Sequence, residues 1–290
     1  MVLSTVNSVF DPLGFLSPVI IQGRLLLREL SLHTTEWDSA LPEDMRGKWI
    51  EWQQSLQCLS NLQMPRTYSN IPLSQAKCVE LCIFSDASMK AICAVAYIKV
   101  TAADGTTEVG FVLGKARLTP QPELTVPRLE LCAAVMSVEM AEVISDDIDH
   151  QIDKIGFYTD SKVILGYINN QSRRFYVYVN NRVRRIREST TPEQWHFVAT
   201  DQNPADHGSR AVPASELQKT SWFTGPAFLQ CSSDIQPEQH LYELLEPDSD
   251  AEVRSEFLCA DLRMKAATPG SLALAKRGTV KANPGPTPDT

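Results

Sequence analysis

Two short apolar runs that each end in an aspartate constrain this chain more than any other feature. Leu81 to Ser88, LCIFSDAS, sets Leu81, Ile83 and Phe84, with Val79 upstream, ahead of Asp86. Lys154 to Ser161, KIGFYTDS, repeats the pattern and ends in Asp160. An apolar run of this length bounded by polar residues predicts a strand buried on both faces. An acid at the carboxyl end of such a strand stands where α/β sheets place ligands and catalytic groups. Two neighbouring strands of this kind put both carboxylates on one sheet edge, which is what a divalent-cation site needs.

The 290 residues suffice for one substantial core plus a smaller neighbour or tails, and 43% hydrophobic with 21% charged residues is ordinary for a folded chain. No stretch approaches the roughly 20 uninterrupted apolar residues of a membrane span, and Phe15 to Ile21 lacks the basic flank of a signal peptide. Seven cysteines without a CxxC pair predict reduced thiols of a cytosolic or nuclear protein rather than a zinc site or a secreted, disulfide-bonded one.

A net charge of -8 argues at first against a nucleic-acid partner. Asp234 to Glu256, however, holds eight acids against Arg254, so the remaining chain is close to neutral. Against that background Arg173 to Arg187 packs six arginines into fifteen residues, interleaved with Phe175, Tyr176 and Tyr178. Arg173, Arg174, Arg182, Arg184 and Arg185 are candidates for nucleic-acid contact, since basic and aromatic residues together suit phosphates and bases. A solvated helix face paired with acids remains the alternative.

Residues 1–62 carry a helical pattern. Asp11-Pro12-Leu13-Gly14 marks a turn, Ser17-Pro18 a helix start, and Leu25, Leu26, Leu30 and Leu32 an apolar side. A second helix begins near Pro42-Glu43 and buries Trp49, Trp52 and Leu56, with Trp37 in the loop between. Residues 63–77 are the expected linker. Residues 78–212 predict strands at Cys78 to Asp86, Ala91 to Val100 and Glu108 to Arg117, the last two joined by a turn at Ala103-Asp104-Gly105.

A helix then starts around Val126-Pro127 with Leu129, Ala133, Met136, Met140 and Val143 along one stripe and Glu130 one residue off it. A strand at Lys154 to Thr159, a helix at Lys162 to Asn169 capped by Ser161, the arginine-rich helix, a fifth strand within Gln194 to Thr200 and a short helix after Asn203-Pro204 complete the order. The fold class is therefore α/β, a five-stranded mixed sheet with three antiparallel strands followed by two added in parallel, flanked by helices. Residues 213–258 form an acidic extension and 259–290 a tail; the stretch after Cys231 and the tail are expected to be disordered.

Asp86, Glu130, Asp160 and Asp206 fall at element ends that this topology brings together. Crowded carboxylates repel and rise in pKa unless cations neutralise them. Hard oxygen ligands select Mg²⁺ or Mn²⁺, and two such ions about 4 Å apart suit phosphodiester hydrolysis.

FSDAS with Asp86, PRLEL with Glu130, YTDSK with Asp160 and NPADHGSR with Asp206 resemble the four acidic motifs of ribonuclease H domains in LTR retrotransposons. VNSVFDPLGFLSPV, the paired Trp49 and Trp52, and SWFTGPAFL at Ser221 to Leu229 are similar to the BEL/Pao class of pol polyproteins. The resemblance covers about residues 4 to 230. It implies a ribonuclease H-like fold and an Mg²⁺-dependent endoribonuclease that degrades the RNA strand of RNA/DNA hybrids during reverse transcription. The four acids would be catalytic and would bind two Mg²⁺, with Mn²⁺ possible. Residues 1–62 would match the connection region of the reverse transcriptase, whose remaining polyprotein would be a partner, and the setting would be a cytoplasmic virus-like particle or the nucleus. His207 stands beside the last acid, and relatives carry a helper histidine nearby, in a different loop.

Neither a YxDD polymerase pair nor an integrase zinc module is present in these residues, which points to a piece of a larger element. A peptidase, as the Pao region is also catalogued, is not expected: Asp86-Ala87-Ser88 and Asp160-Ser161-Lys162 both lack the glycine of a D-[ST]-G loop. The competing function is a domesticated or catalytically silent relic that binds nucleic acid without turnover.

Overall fold

The computed structural model describes residues 2–33, 40–231 and 242–254. Its centre is a five-stranded sheet of β1 (Cys78–Ala87), β2 (Ala91–Thr101), β3 (Thr107–Leu118), β4 (Lys154–Thr159) and β5 (Trp195–Phe197), in the order β3-β2-β1-β4-β5. β1 pairs antiparallel with β2, and β2 with β3; β4 joins β1 in parallel and β5 joins β4 in parallel. The mixed sheet expected from the sequence is the one observed. Gly105 closes the β2–β3 turn at φ +89°, a left-handed conformation that glycine adopts without steric cost, while Asp104 Oδ1 accepts from the Thr106 N–H at 2.8 Å.

The middle position of β1 explains its composition. Val79, Leu81 and Ile83 enter one core and Cys82 and Phe84 the other, all nearly inaccessible to water. A fully buried side chain of this size contributes about 1.5–3 kcal/mol, so β1 anchors both layers. On one face lies α4 (Val126–Asp147) with α5 (Lys162–Asn169) and α6 (Val177–Ser189). On the other lie α2 (Ser17–His33), α7 (Ala205–Arg210) and the segment carrying Leu217, Trp222 and Leu229. α1 (Val2–Ser8) and α3 (Glu43–Ser55) close a third cluster of Val6, Leu26, Met45, Trp49 and Trp52, tied to α2 by the Trp52 indole N–H donating to the Val19 carbonyl at 3.0 Å.

Met1–Arg254 is one compact unit, and the expected segment boundaries at 62, 77 and 212 fall inside it. Residues 63–77 are not a free linker over their length, because Glu108 on β3 accepts from the Ser69 hydroxyl at 2.7 Å and the Asn70 N–H at 2.6 Å. Val143 is 52% exposed while Ile144 is buried: toward its C-terminal end α4 continues the i, i+4 row from Met140. Leu32, at the end of α2, is exposed, and α2 buries Val19 and Ile21 instead. Disorder after Cys231 does not hold for 242–254, where Tyr242, Leu244 and Val253 pack on the α4–α5–α6 core. Trp37 and residues 259–290 lie outside the described residues.

Candidate active site

The register of β1 against β4 builds the site. Ser85 pairs with Thr159, so the next residues, Asp86 and Asp160, leave adjacent strands at the same edge. Two elements then deliver the other acids. α4 crosses one face of the sheet and carries Glu130 near its start, and α7 lies on the other face and carries Asp206 in its first turn. Side chains from both layers therefore meet the strand ends.

Each carboxyl has partners within the chain. The Ser161 hydroxyl donates to Glu130 Oε2 at 2.5 Å and accepts from the Ile164 N–H at 3.3 Å, so one residue caps α5 and ties α4 to it. The Ser209 hydroxyl donates to Asp86 Oδ2. Asp160 accepts from the Thr200 hydroxyl at 2.7 Å and from the Asn203 side-chain amide at 3.4 Å, and the same amide donates to the Ser85 carbonyl at 3.1 Å. Asp206 Oδ1 is buried against the Arg210 guanidinium yet accepts no hydrogen bond.

Burial and like charge act together on two of these carboxyls. Burial pushes Asp86, 7% exposed, up to about 6; the Asp160 and Asp206 charges add to the rise, and the Ser209 hydrogen bond opposes it. Burial likewise pushes Glu130 up to about 7, assisted by Asp160 and Asp86 and opposed by Ser161. Both burial and like charge disfavour the ionised form. The buried Cys93 thiol is also raised, by burial and by the charges of Asp86 and Asp206.

The four acids share one electrostatic neighbourhood, but among the described residues no three His, Cys, Asp or Glu side chains come together in a set able to hold one ion. The donor chemistry still suits a hard cation: oxygen ligands only, two of them disfavoured in their charged form by burial and then by their neighbours' charge.

His207 is half-buried, with Nε2 3.0 Å from the Ser221 hydroxyl, and burial lowers its pKa more than Asp206 raises it. The sequence did not single out Ser209, Thr200 or Asn203 as partners of the acids.

The arginines are dispersed. α6 begins at Val177, so Arg173 and Arg174 precede it, because Phe175 is held in an isolated bridge to Val253. Arg173 pairs with Asp248 at 2.9 Å, Arg184 with Glu188 at 3.5 Å, and Arg185 with Glu142. Arg182 stacks on the Tyr178 ring at 3.5 Å from its centroid. Arg187 turns inward and donates to the carbonyls of Ile168 and Asn170.

A family model described as the Pao retrotransposon-like RNaseH-like domain matches residues 1–161, a span that includes Asp86, Glu130 and Asp160 and stops short of Asp206. No curated protein matches the chain. Similar solved structures include the N-terminal RNase H domain of rv2228c from Mycobacterium tuberculosis, 12% identical, covering 46% of this chain and 94% of that one with a TM-score of 0.31. RNase H1 from Halobacterium salinarum NRC-1 is 14% identical, covering 50% and 92% with a TM-score of 0.28. LC11-RNase H1 in complex with an RNA/DNA hybrid is 12% identical, covering 50% and 92% with a TM-score of 0.28. At such scores no residue is carried across from them, and the site rests on this chain's own geometry.

Proposed function

We propose, from the premise that this chain belongs to the Pao retrotransposon-like RNaseH-like domain family, that it hydrolyses the RNA strand of RNA/DNA hybrids during reverse transcription. The observation that carries this reading is the parallel register Ser85↔Thr159, after which Asp86 and Asp160 leave adjacent strands at one sheet edge. Repelling carboxylates at a buried edge cost stability, and a cation-dependent reaction gives them a use.

Asp86, Glu130, Asp160 and Asp206 would hold two Mg²⁺, with Mn²⁺ as a substitute. Bound there, such ions would supply Lewis acidity and charge neutralisation for attack of water on the scissile phosphodiester. The chain's own residues do the positioning. Ser209 and Ser161 fix Asp86 and Glu130 through donated hydrogen bonds, and Asn203 ties Asp160 to the end of β1. His207, whose imidazole burial holds below its ordinary pKa, would be a helper beside the last acid. Arg173, Arg174, Arg182, Arg184 and Arg185 would meet the hybrid backbone. Residues 1–62 would dock to the remaining reverse transcriptase polyprotein, in a cytoplasmic virus-like particle or the nucleus. No helix among the described residues is long and apolar enough to cross a membrane.

The test is cleavage of a labelled RNA/DNA hybrid in Mg²⁺ by the wild-type chain and by Asp86→Asn. Cleavage by the former and its loss in the latter is the expected result; equal activity in both overturns the mechanism. One observation favours a second reading, a nucleic-acid-binding relic without turnover: each carboxyl is already engaged by a hydroxyl, amide or guanidinium, and no three acids form an ion-ready set among the described residues. A folded wild-type chain that binds hybrid in Mg²⁺ or Mn²⁺ without cutting it would establish that reading.

A further inference from the structure

Residues 242–254 cross the α4–α5–α6 layer as an acidic strap. Apolar and backbone contacts hold it down. Val253 is buried and bridges Phe175, the Tyr176 N–H donates to the Glu252 carbonyl at 3.0 Å, and the Arg254 N–H donates to the Arg174 carbonyl at 2.8 Å. On α5, Gly166 lets the strap lie close: a Cβ there would sit 2.7 Å from the Glu243 carbonyl oxygen. The acids of the strap point onto basic and hydroxyl groups. Glu252, 5% exposed, receives both the Nε (2.5 Å) and the Nη2 (3.0 Å) of Arg128. Asp248 takes Arg173 at 2.9 Å, and Asp250 accepts from the Tyr167 hydroxyl at 2.7 Å.

Three facts make this more than a clamp. First, Arg128 and Glu130 both lie in the first turns of α4, so Glu252 of the strap is tied to the same end of the helix that carries a candidate site acid. Second, Arg128 and Arg182 both lie over the Tyr178 ring, at 4.8 and 3.5 Å from its centroid, a cationic and aromatic surface of the kind that takes a nucleic-acid backbone. Third, a two-pronged guanidinium–carboxylate contact has the same geometry as a guanidinium–phosphate contact. Glu252 is buried while Arg128 stays a third exposed, so the guanidinium is within reach of an outside anion.

We propose that Arg128, Arg173 and Arg182 with Tyr178 form a binding surface for the phosphate backbone of the hybrid, and that Asp248, Asp250 and Glu252 occupy it in cis as stand-ins for phosphates. Nucleic acid must displace these carboxylates to engage the surface beside Glu130. The inference rests on the hybrid-cleaving reading for the identity of the ligand.

The experiment compares the full wild-type chain with the Asp248→Asn, Asp250→Asn, Glu252→Gln variant, using a short labelled RNA/DNA hybrid. Neutralising the strap is expected to tighten hybrid binding about tenfold or more. It should also steepen the dependence of log K on log salt by roughly 1, because Arg128, released from Glu252, displaces counterions on binding. Arg128→Gln in the same background is expected to reverse most of the gain.

A second measurement needs no variant. Hydrogen exchange at the Tyr176 and Arg254 amides of the wild-type chain should speed up when hybrid is added. Equal affinities together with unchanged exchange overturn the inference, and if both chains also cut the hybrid, the hydrolase reading stands without it. Tighter binding by the variant with no cutting by either chain supports the strap and removes the hydrolase. No hybrid binding by either chain overturns the strap's role as a competitor.

Discussion

The sheet edge and the arginine-bearing layer handle charge in opposite ways. At the edge, hydroxyls and one amide hold Asp86, Glu130 and Asp160 and the Arg210 guanidinium holds Asp206, and burial with mutual repulsion pushes Asp86 up to about 6 and Glu130 up to about 7. In the α4–α6 layer, Arg128, Arg173, Arg184 and Arg185 each meet a carboxylate. One region stores unfavourable charge that a cation would relieve. In the other, four arginines are paired with acids of the same chain, while Arg182 lies on the Tyr178 ring and Arg187 faces backbone carbonyls.

The largest expected effect falls on turnover. Asp160→Asn should lower hybrid cleavage in Mg²⁺ by at least about a hundredfold, since removing one electrostatic group from such a site costs on the order of 10²–10³ in rate. Arg184→Glu should change cleavage only a few-fold, and single-turnover assays of both variants would show it. Similar losses would mean that the two regions do not differ as described.

Next in size is a stability effect of opposite sign to the catalytic one. Asp86 and Glu130 hold their protons more tightly in the fold than in the unfolded chain, where ordinary values are 3.8 and 4.5. Below those values both states are protonated and the difference vanishes. As pH rises from about 4 to 7 the unfolded chain ionises first, so the metal-free fold loses stability, and the loss is complete above about 7. Asp86→Asn removes part of that penalty and should stabilise the metal-free protein by about 1–3 kcal/mol at neutral pH. Denaturant melts at pH 5 and 7.5 would check it: the wild-type chain gains stability at the lower pH from these two groups, and the variant gains less. A destabilised Asp86→Asn at neutral pH would mean that the Ser209 hydrogen bond outweighs repulsion.

The same contrast explains what the sequence made legible. β4 and α5 have the expected bounds, Lys154–Thr159 and Lys162–Asn169, because each combines a local period with a local stop signal, the second being the Ser161 cap. The edge position of Asp86 and Asp160 followed from those strand ends. The partners of the acids did not, since Ser209 reaches Asp86 across 123 positions and no local pattern marks such a contact. The strap was misread for a related reason. Acidic composition points to solvation, but Glu252 meets Arg128 across 124 positions, and a charge run says nothing of a complementary surface that far away. Val143 was misplaced because a 22-residue helix offers two rows after Met140, and only the sheet below selects the one through Ile144.

The smallest expected effect tests whether the arginine layer is as neutralised as its pairings suggest. Arg184 is 72% exposed and pairs with Glu188 one turn on, an arrangement worth only about 0.3–0.5 kcal/mol. Arg184→Gln should therefore leave the unfolding free energy within about 0.5 kcal/mol of wild type. It would still remove a charge from the face next to Arg173, Asn180 and Arg187, which together line a cavity of about 350 Å³. If hybrid runs along that face, the salt slope of binding falls by about 1 in this variant while thermal unfolding is unchanged. An unchanged slope would confine the nucleic-acid surface to Arg128, Arg173 and Arg182, and Arg184 would belong to a solvated face whose pairing with Glu188 serves the helix alone.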